Sequence, residues 1–132
     1  MFTVATYLDR STLHGIGVFA GQDIARGEIV WRFNPLLDLQ YSYDEWLALK
    51  AAASPHSFTH IRRYSYKEGD RFYLCLDNAQ FMNHSSDGHN VENNRENNTM
   101  VARTDIAHGE ELLCNYFEYC DADDYNLMKI KG

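Results

Sequence analysis

The chain has 132 residues and a formal net charge of −7. That leaves room for one domain around one core, spanning residues 1–132. It also makes a nucleic-acid backbone a poor main partner: phosphate contacts need clustered Lys and Arg, and the one adjacent basic pair is Arg62-Arg63. Hydrophobic residues at 45% and aromatics at 14% exclude a disordered chain, while no apolar run approaches the roughly 20 residues of a membrane span.

The opening stretch, MFTVATYLDR, lacks the basic start and long apolar run of a signal peptide, so an intracellular protein is expected, cytoplasmic first, with a nuclear or chromatin-associated address as the alternative. Short runs rich in Val, Ile, Phe and Tyr then read as strands: Ile16 to Ala20, Glu28 to Phe33, Arg71 to Leu76, Thr99 to Arg103 and Glu111 to Tyr116. Between the second and third, Ser42 followed by Glu45 makes a capping box, and Trp46, Leu49 and Ala53 fall at helical spacing. One helix is expected over 42–53, ended by Ser54-Pro55. The fold class is therefore mainly β with a short helix. Val91 to Asn98, VENNRENN, is polar enough for a surface loop or a hairpin tip.

AGQDIARGE at 20–28 is echoed by ARTDIAHGE at 102–110. Each copy reads as a strand end, a turn whose Gly27 or Gly109 can take positive φ, and a new strand opened by Glu, so two similar turn units built around one core are expected. Three cysteines, Cys75, Cys114 and Cys120, are an odd number without CxxC spacing, which points to reduced thiols rather than a disulfide framework or a zinc site.

The stretch FMNHSSDGHN at 81–90 is dense in polar chemistry. Asn83-His84-Ser85 is formally a glycosylation sequon, but no secretory signal brings it to the modifying machinery. His84, Asp87 and His89 could ligate a metal, yet no HExxH helix or matching Cys/His pair accompanies them. Ser85 or Ser86 as a nucleophile lacks the GxSxG elbow. On the loop alone, side chains bonded to backbone groups in a tight turn explain it best. Two further features lie in company with it. HGIGVFA, 14–20, sets Gly15 and Gly17 before a strand, where missing Cβ atoms let a ligand approach the backbone, and GEELLCNY, 109–116, brings Tyr116 to a strand end. Taken singly, the first is equally a turn and the second a core aromatic.

In combination and in this order, GIGVFA, DIARGE, YLCLDNAQFMNHS and GEELLCNY resemble the SET domain of protein lysine methyltransferases, over roughly residues 10–120 with a tail at 121–132. The resemblance is to the small stand-alone members without zinc-binding flanks, so no metal is implied. It implies small curved β-sheets around a C-terminal pseudoknot, S-adenosylmethionine as cofactor, and methyl transfer to the lysine of a basic protein or peptide, histones among the options. Gly15, Ile16 and Gly17 would present backbone groups to the cofactor. Asn83 through its amide and His84 through its backbone would hold it, Tyr116 would be the catalytic tyrosine, and an upstream aromatic, Tyr64 or Tyr66, would line the transfer site, with Tyr66 the assignment adopted. Cys114, Phe117, Tyr64 and Tyr119 would line the substrate channel, core packing being the other fate of the aromatics. Cys114 stands where many members carry Phe or Tyr, leaving room for multiple methylation. Asp77 would hold the loop entering the knot, Asn90 would fill the family asparagine position after the unorthodox SSDGH, and Glu110 and Glu111 would serve the turn and solvent. The tail would cover the channel through Tyr125, Leu127 and Met128 or leave it open for a second subunit, so a homodimer fits. The rival reading is a catalytically silent SET-like module that binds a peptide or partner.

Overall fold

The computed structural model describes residues 1–131. Ten short strands and three helices follow one another: β1 Thr6–Arg10, β2 Ile16–Ala20, β3 Ile29–Arg32, β4 Asp38–Tyr41, α1 Tyr43–Ala52, α2 Pro55–Tyr64, β5 Tyr66–Glu68, β6 Arg71–Cys75, β7 Asn83–His84, β8 Val91–Asn94, β9 Thr99–Ala102, β10 Leu113–Cys114 and α3 Tyr125–Lys131. They form four small sheets: the hairpin β1-β2, the three-stranded β3-β9-β8 and β4-β6-β5, and the parallel pair β7-β10. Among the described residues no helix is long and apolar enough to cross a membrane.

The echoed turns bond to each other. Ile24 and Ile106 exchange both backbone hydrogen bonds at 2.8 Å. Ala20 donates to Glu110 O and accepts from Gly109, while Ala102 donates to Glu28 O and accepts from Gly27. Asp23 accepts from His108 N and Asp105 from Arg26 N, both at 2.9 Å. Gly27 and Gly109 hold φ of 86° and 92°, a region costly to any residue with a Cβ. The repeat is therefore a local two-fold unit, with Ile24, Ile106, Val18, Val30 and Leu112 almost wholly buried around it.

The helix expected over 42–53 is α1. Both bonds of its capping box are present, Glu45 N to Ser42 Oγ at 3.2 Å and Ser42 N to Glu45 Oε1 at 2.9 Å, and Trp46 is buried against Phe72 at 4.4 Å between ring centres. Ser54-Pro55 ends that helix and at once begins another: Ser54 caps α2 by accepting from Ser57 N, with Pro55 at its first position. Proline fits there because the first helical turn leaves its N–H groups unpaired in any case. The expected strand at 111–116 narrows to β10, after which Asn115 caps a 3₁₀ turn over Tyr116–Glu118. VENNRENN forms β8 and the tip of the β8-β9 hairpin, which Asn98 closes at φ 53°.

Candidate functional site

The knot is built from side chains that grip backbone. Asn90 donates from Nδ2 to Glu111 O at 2.8 Å and accepts from Leu113 N at 2.9 Å, and its own N–H reaches Leu113 O at 3.0 Å. Ser85 N donates to Cys114 O at 2.9 Å. The segment 111–116 is thus clasped at both ends of the 83–90 stretch, which holds β7 and β10 in parallel register, Leu113 beside Asn83 and Cys114 beside His84. SSDGH closes as its own turn, Gly88 N donating to Ser85 Oγ at 2.9 Å. Asp77 caps the preceding 3₁₀ turn through Ala79 N and also accepts from Phe2 N.

Around this clasp lies the GIG turn. Asn83 Nδ2 lies within hydrogen-bond reach of His14 O at 3.1 Å, Ile16 O at 3.2 Å and Glu111 Oε2 at 3.0 Å. Glu111 Oε1 accepts from Ser11 Oγ at 2.8 Å, and Ser11 Oγ in turn accepts from Leu13 N and His14 N. A Cβ on Gly17 would collide with the Glu111 carboxylate, whereas one on Gly15, at φ 48°, would meet nothing within 4 Å. The two glycines therefore do different work: Gly15 makes the turn and leaves space open, and Gly17 admits Glu111. Glu110 serves the turn as expected, accepting from Ala107 N, but Glu111 is an internal tie rather than a solvent-facing residue.

His84 Nδ1 accepts from Tyr116 N at 3.0 Å, which leaves the proton of the neutral ring on Nε2. Burial chiefly, helped by His89 and opposed by Asp87, holds its pKa below the usual 6.5. The Tyr116 hydroxyl donates to Met82 O at 2.8 Å. Burial pushes the Tyr116, Tyr119 and Tyr66 phenols well above the ordinary tyrosine value, so all three are uncharged at neutral pH. Their rings run in a chain, Tyr66 edge-on to Tyr119 at 5.2 Å, Tyr119 to Tyr116 at 6.1 Å and Tyr116 to His84 at 4.9 Å.

Two cavities meet along this chain. The wider, about 580 Å³, includes His14, Ile16, Arg63, Asn83, His84 and Tyr116 in its wall. The narrower, about 60 Å³, includes Tyr64, Tyr66, Glu68, Tyr119, Asp124 and again Tyr116. Tyr64, Arg63, Met82 and Asn126 also face both. No carboxylate lines the wider cavity among the described residues, and Arg63 Nη2 crosses it to His14 Nε2 at 3.0 Å.

The structure brings Ile16, Asn83, His84 and Tyr116 to one cavity and Tyr64, Tyr66 and Tyr119 to the other, Tyr64 and Tyr116 belonging to both, while Gly15 and Gly17 flank Ile16 without lining either. Cys114 and Phe117 line neither. Cys114 is buried behind Tyr119, with Sγ 3.5 Å from its hydroxyl and the thiol pushed up to about 12 by burial. Phe117 packs against His84 at 5.5 Å. Cys75, Cys114 and Cys120 are free and buried. His84, Asp87 and His89 do not converge: among the described residues no group of three possible ligands gathers, and the His89 ring faces Arg103 Nη1 at 3.0 Å.

The tail closes over the site. Asn126 Nδ2 reaches Arg63 O and Ser65 O, both at 3.0 Å, at the end of α2, Leu127 is buried, and Asp124 accepts from Lys67 N and Leu127 N. Tyr125 lines the wider cavity with Lys129 and Ile130, while Met128 is exposed. Arg63, Glu111 and Asn126 were not legible as site residues, since each works through a partner far away in the chain.

No curated protein matches the sequence. Among solved structures, a Plasmodium falciparum protein described as a candidate histone methyltransferase superposes with a TM-score of 0.56 at 22% identity, covering 86% of this chain and 94% of that one. The Chaetomium thermophilum polycomb repressive complex 2 superposes with a TM-score of 0.63 at 25% identity, over 94% of this chain and 16% of that one. The same complex in an autoinhibited conformation bound to S-adenosylmethionine gives 0.62 at 25%, over 97% and 16%. This chain therefore spans only about a sixth of the length of the polycomb chains it matches. The family description "SET domain" matches residues 15–117, well over half of the sequence. The chain belongs to the SET-domain family.

Proposed function

We propose that the protein, a single SET domain over residues 1–132, transfers a methyl group from S-adenosylmethionine to the ε-amine of a lysine in a basic protein segment, a histone or histone-like chain among the candidates. The observation that carries the reading is the meeting of a wide and a narrow cavity at Tyr116. The wide one has the size of a small-molecule site, and the donor set of its wall fits the cofactor. His14 O and Ile16 O offer acceptors to an ammonium, the Arg63 guanidinium offers a fork to a carboxylate, and the space beside Gly15 is open. Gly15, Ile16, Asn83, His84 and Arg63 would hold it, with Gly17 acting through Glu111. When bound, S-adenosylmethionine supplies an electrophilic methyl group.

The chain's own residues then align and dehydrate the amine. Correct alignment supplies several kcal/mol of the roughly 7–11 that ideal orientation can give. A lysine of reference pKa about 10.4 must lose its proton before attack, and a narrow aromatic channel favours the neutral form. Tyr116 suits the remaining task. Its proton is committed to Met82 O, so its lone pairs stay free to accept from the amine. The uncharged Tyr66 and Tyr119 rings wall the lysine stem. An intracellular site of action, cytoplasmic or nuclear, and a homodimer belong to the same reading.

The silent-module reading draws on one observation: the Asn83 amide is already satisfied within the chain. Calorimetry with S-adenosylmethionine and methyl incorporation into lysine-bearing protein pools decide between the two. Binding with turnover that is lost in Tyr116→Phe supports the enzyme. Binding without turnover across a broad panel supports the module, and no binding overturns the enzyme.

A further inference from the structure

The two carboxylates of the narrow cavity are unequal. Asp124 is fully used by the N–H groups of Lys67 and Leu127, at 2.7 and 2.9 Å. Glu68 lines the same wall, half-buried, and its carboxylate makes no hydrogen bond or ion pair with the described residues. Burial above all, with Asp121 adding to it, raises its carboxyl, while Arg95 acts in the opposite sense. The Nε of that guanidinium donates to Glu118 O at 2.9 Å, and Arg95 makes no ion pair with Glu68 among the described residues. The cavity also contains a donor without an acceptor, Trp31 Nε1, on a side chain only 4% exposed. A cavity with a free acceptor and a free donor is prepared for a polar guest.

Position selects the guest. Tyr66 and Glu68 point to the same side of β5, about 6.5 Å apart along the strand. That span is comparable to an extended lysine side chain. A lysine whose amine reaches the Tyr66, Tyr116 and Tyr119 end therefore leaves its backbone and its chain neighbours beside Glu68. The surroundings are acidic as well. Asp121 and Asp123 stand nearby, and Lys67 is paired to Asp123 and Asp70. We infer that Glu68 is a specificity residue, its carboxylate taking the cationic side chain of a residue that flanks the target lysine. The inference rests on the narrow cavity being the lysine channel.

Peptide binding tests it without requiring turnover. Paired lysine peptides differing only in an Arg or a Glu beside the lysine are titrated by fluorescence anisotropy against the native chain, Glu68→Gln and Glu68→Lys. The native chain should favour the Arg peptide about fivefold, Glu68→Gln should level the two, and Glu68→Lys should invert the order. Glu68→Gln keeps the shape of the side chain, and the circular dichroism spectrum of each variant checks its fold. An unchanged order in a folded Glu68→Lys variant, or no preference or no peptide binding by the native chain, overturns the inference. Inverted binding by a chain that transfers no methyl group would leave this assignment standing and sink the enzyme; turnover with unaltered peptide preference would do the reverse.

Discussion

The knot and the helical flank hold the same two cavities by different means. On the knot side, single polar side chains bond to main chain across long stretches of sequence: Asn90 to Glu111 and Leu113, Asn83 to His14 and Ile16, His84 to Tyr116. On the flank, the Arg62 guanidinium of α2 lies over the Tyr125 ring of α3 at 4.2 Å, Asn126 reaches the carbonyls at the end of α2, and Tyr66 of β5 and Tyr64 of α2 pack against the Tyr73 and Phe81 rings. The first arrangement demands particular residues and tolerates little, whereas the second spreads its energy over many contacts. Tyr116, the proposed catalytic tyrosine, stands on the demanding side, and Glu68, the proposed specificity residue, on the tolerant one.

Changes on each side should therefore differ in size. The largest effect is expected from Asn90→Ala, which leaves a carbonyl and an N–H of the clasp unpaired and should cost about 3 kcal/mol in urea unfolding. Asn83→Ala should weaken S-adenosylmethionine binding about tenfold by calorimetry, and an unchanged affinity would remove that residue from the site. Gly17→Ala drives a Cβ into the Glu111 carboxylate and should reproduce that loss at roughly half its free-energy size. Asn126→Ala, on the flank, should cost only about 1 kcal/mol, read as faster amide exchange confined to the end of α2. If it matched Asn90→Ala, the contrast between the two sides would fail.

The smallest expected effect is electrostatic. His84 has a folded pKa below its unfolded value near 6.5, so on acidification the unfolded chain takes up the proton first. Stability should then fall as pH drops from about 6.5 toward the folded value, by less than the ~1.4 kcal/mol per pH unit of one full proton. Urea midpoints at several pH values measure it, and His84→Gln should flatten the slope.

Much of the knot side was legible because its elements are short and locally punctuated. The repeated DIAxGE turns and the GIG turn each carry their instruction in adjacent residues, as the capping box at Ser42 does for α1. Even so, the resemblance to a known family, rather than any spacing, implied the pseudoknot. The flank was misread where one signal has two meanings: Ser54-Pro55 stops α1 and also starts α2. Nor did the tail disclose that Leu127 would turn inward while Met128 stayed exposed, since its few apolar residues carry no clear period.

By itself the sequence determined the strand-rich class, the helix over 42–53, the paired turns and the polar stretch FMNHSSDGHN, because local conformation and hydrophobic patterning act over a few residues. Only the tertiary structure decided that the paired turns bond to each other, that Gly17 makes room for Glu111 and that Arg63 reaches His14. It also decided that Glu68 stands unpaired in a cavity shared with Tyr116. These depend on which distant groups are brought within hydrogen-bond distance, and a carboxylate reads the same in sequence whether it finds a partner or is left waiting for one.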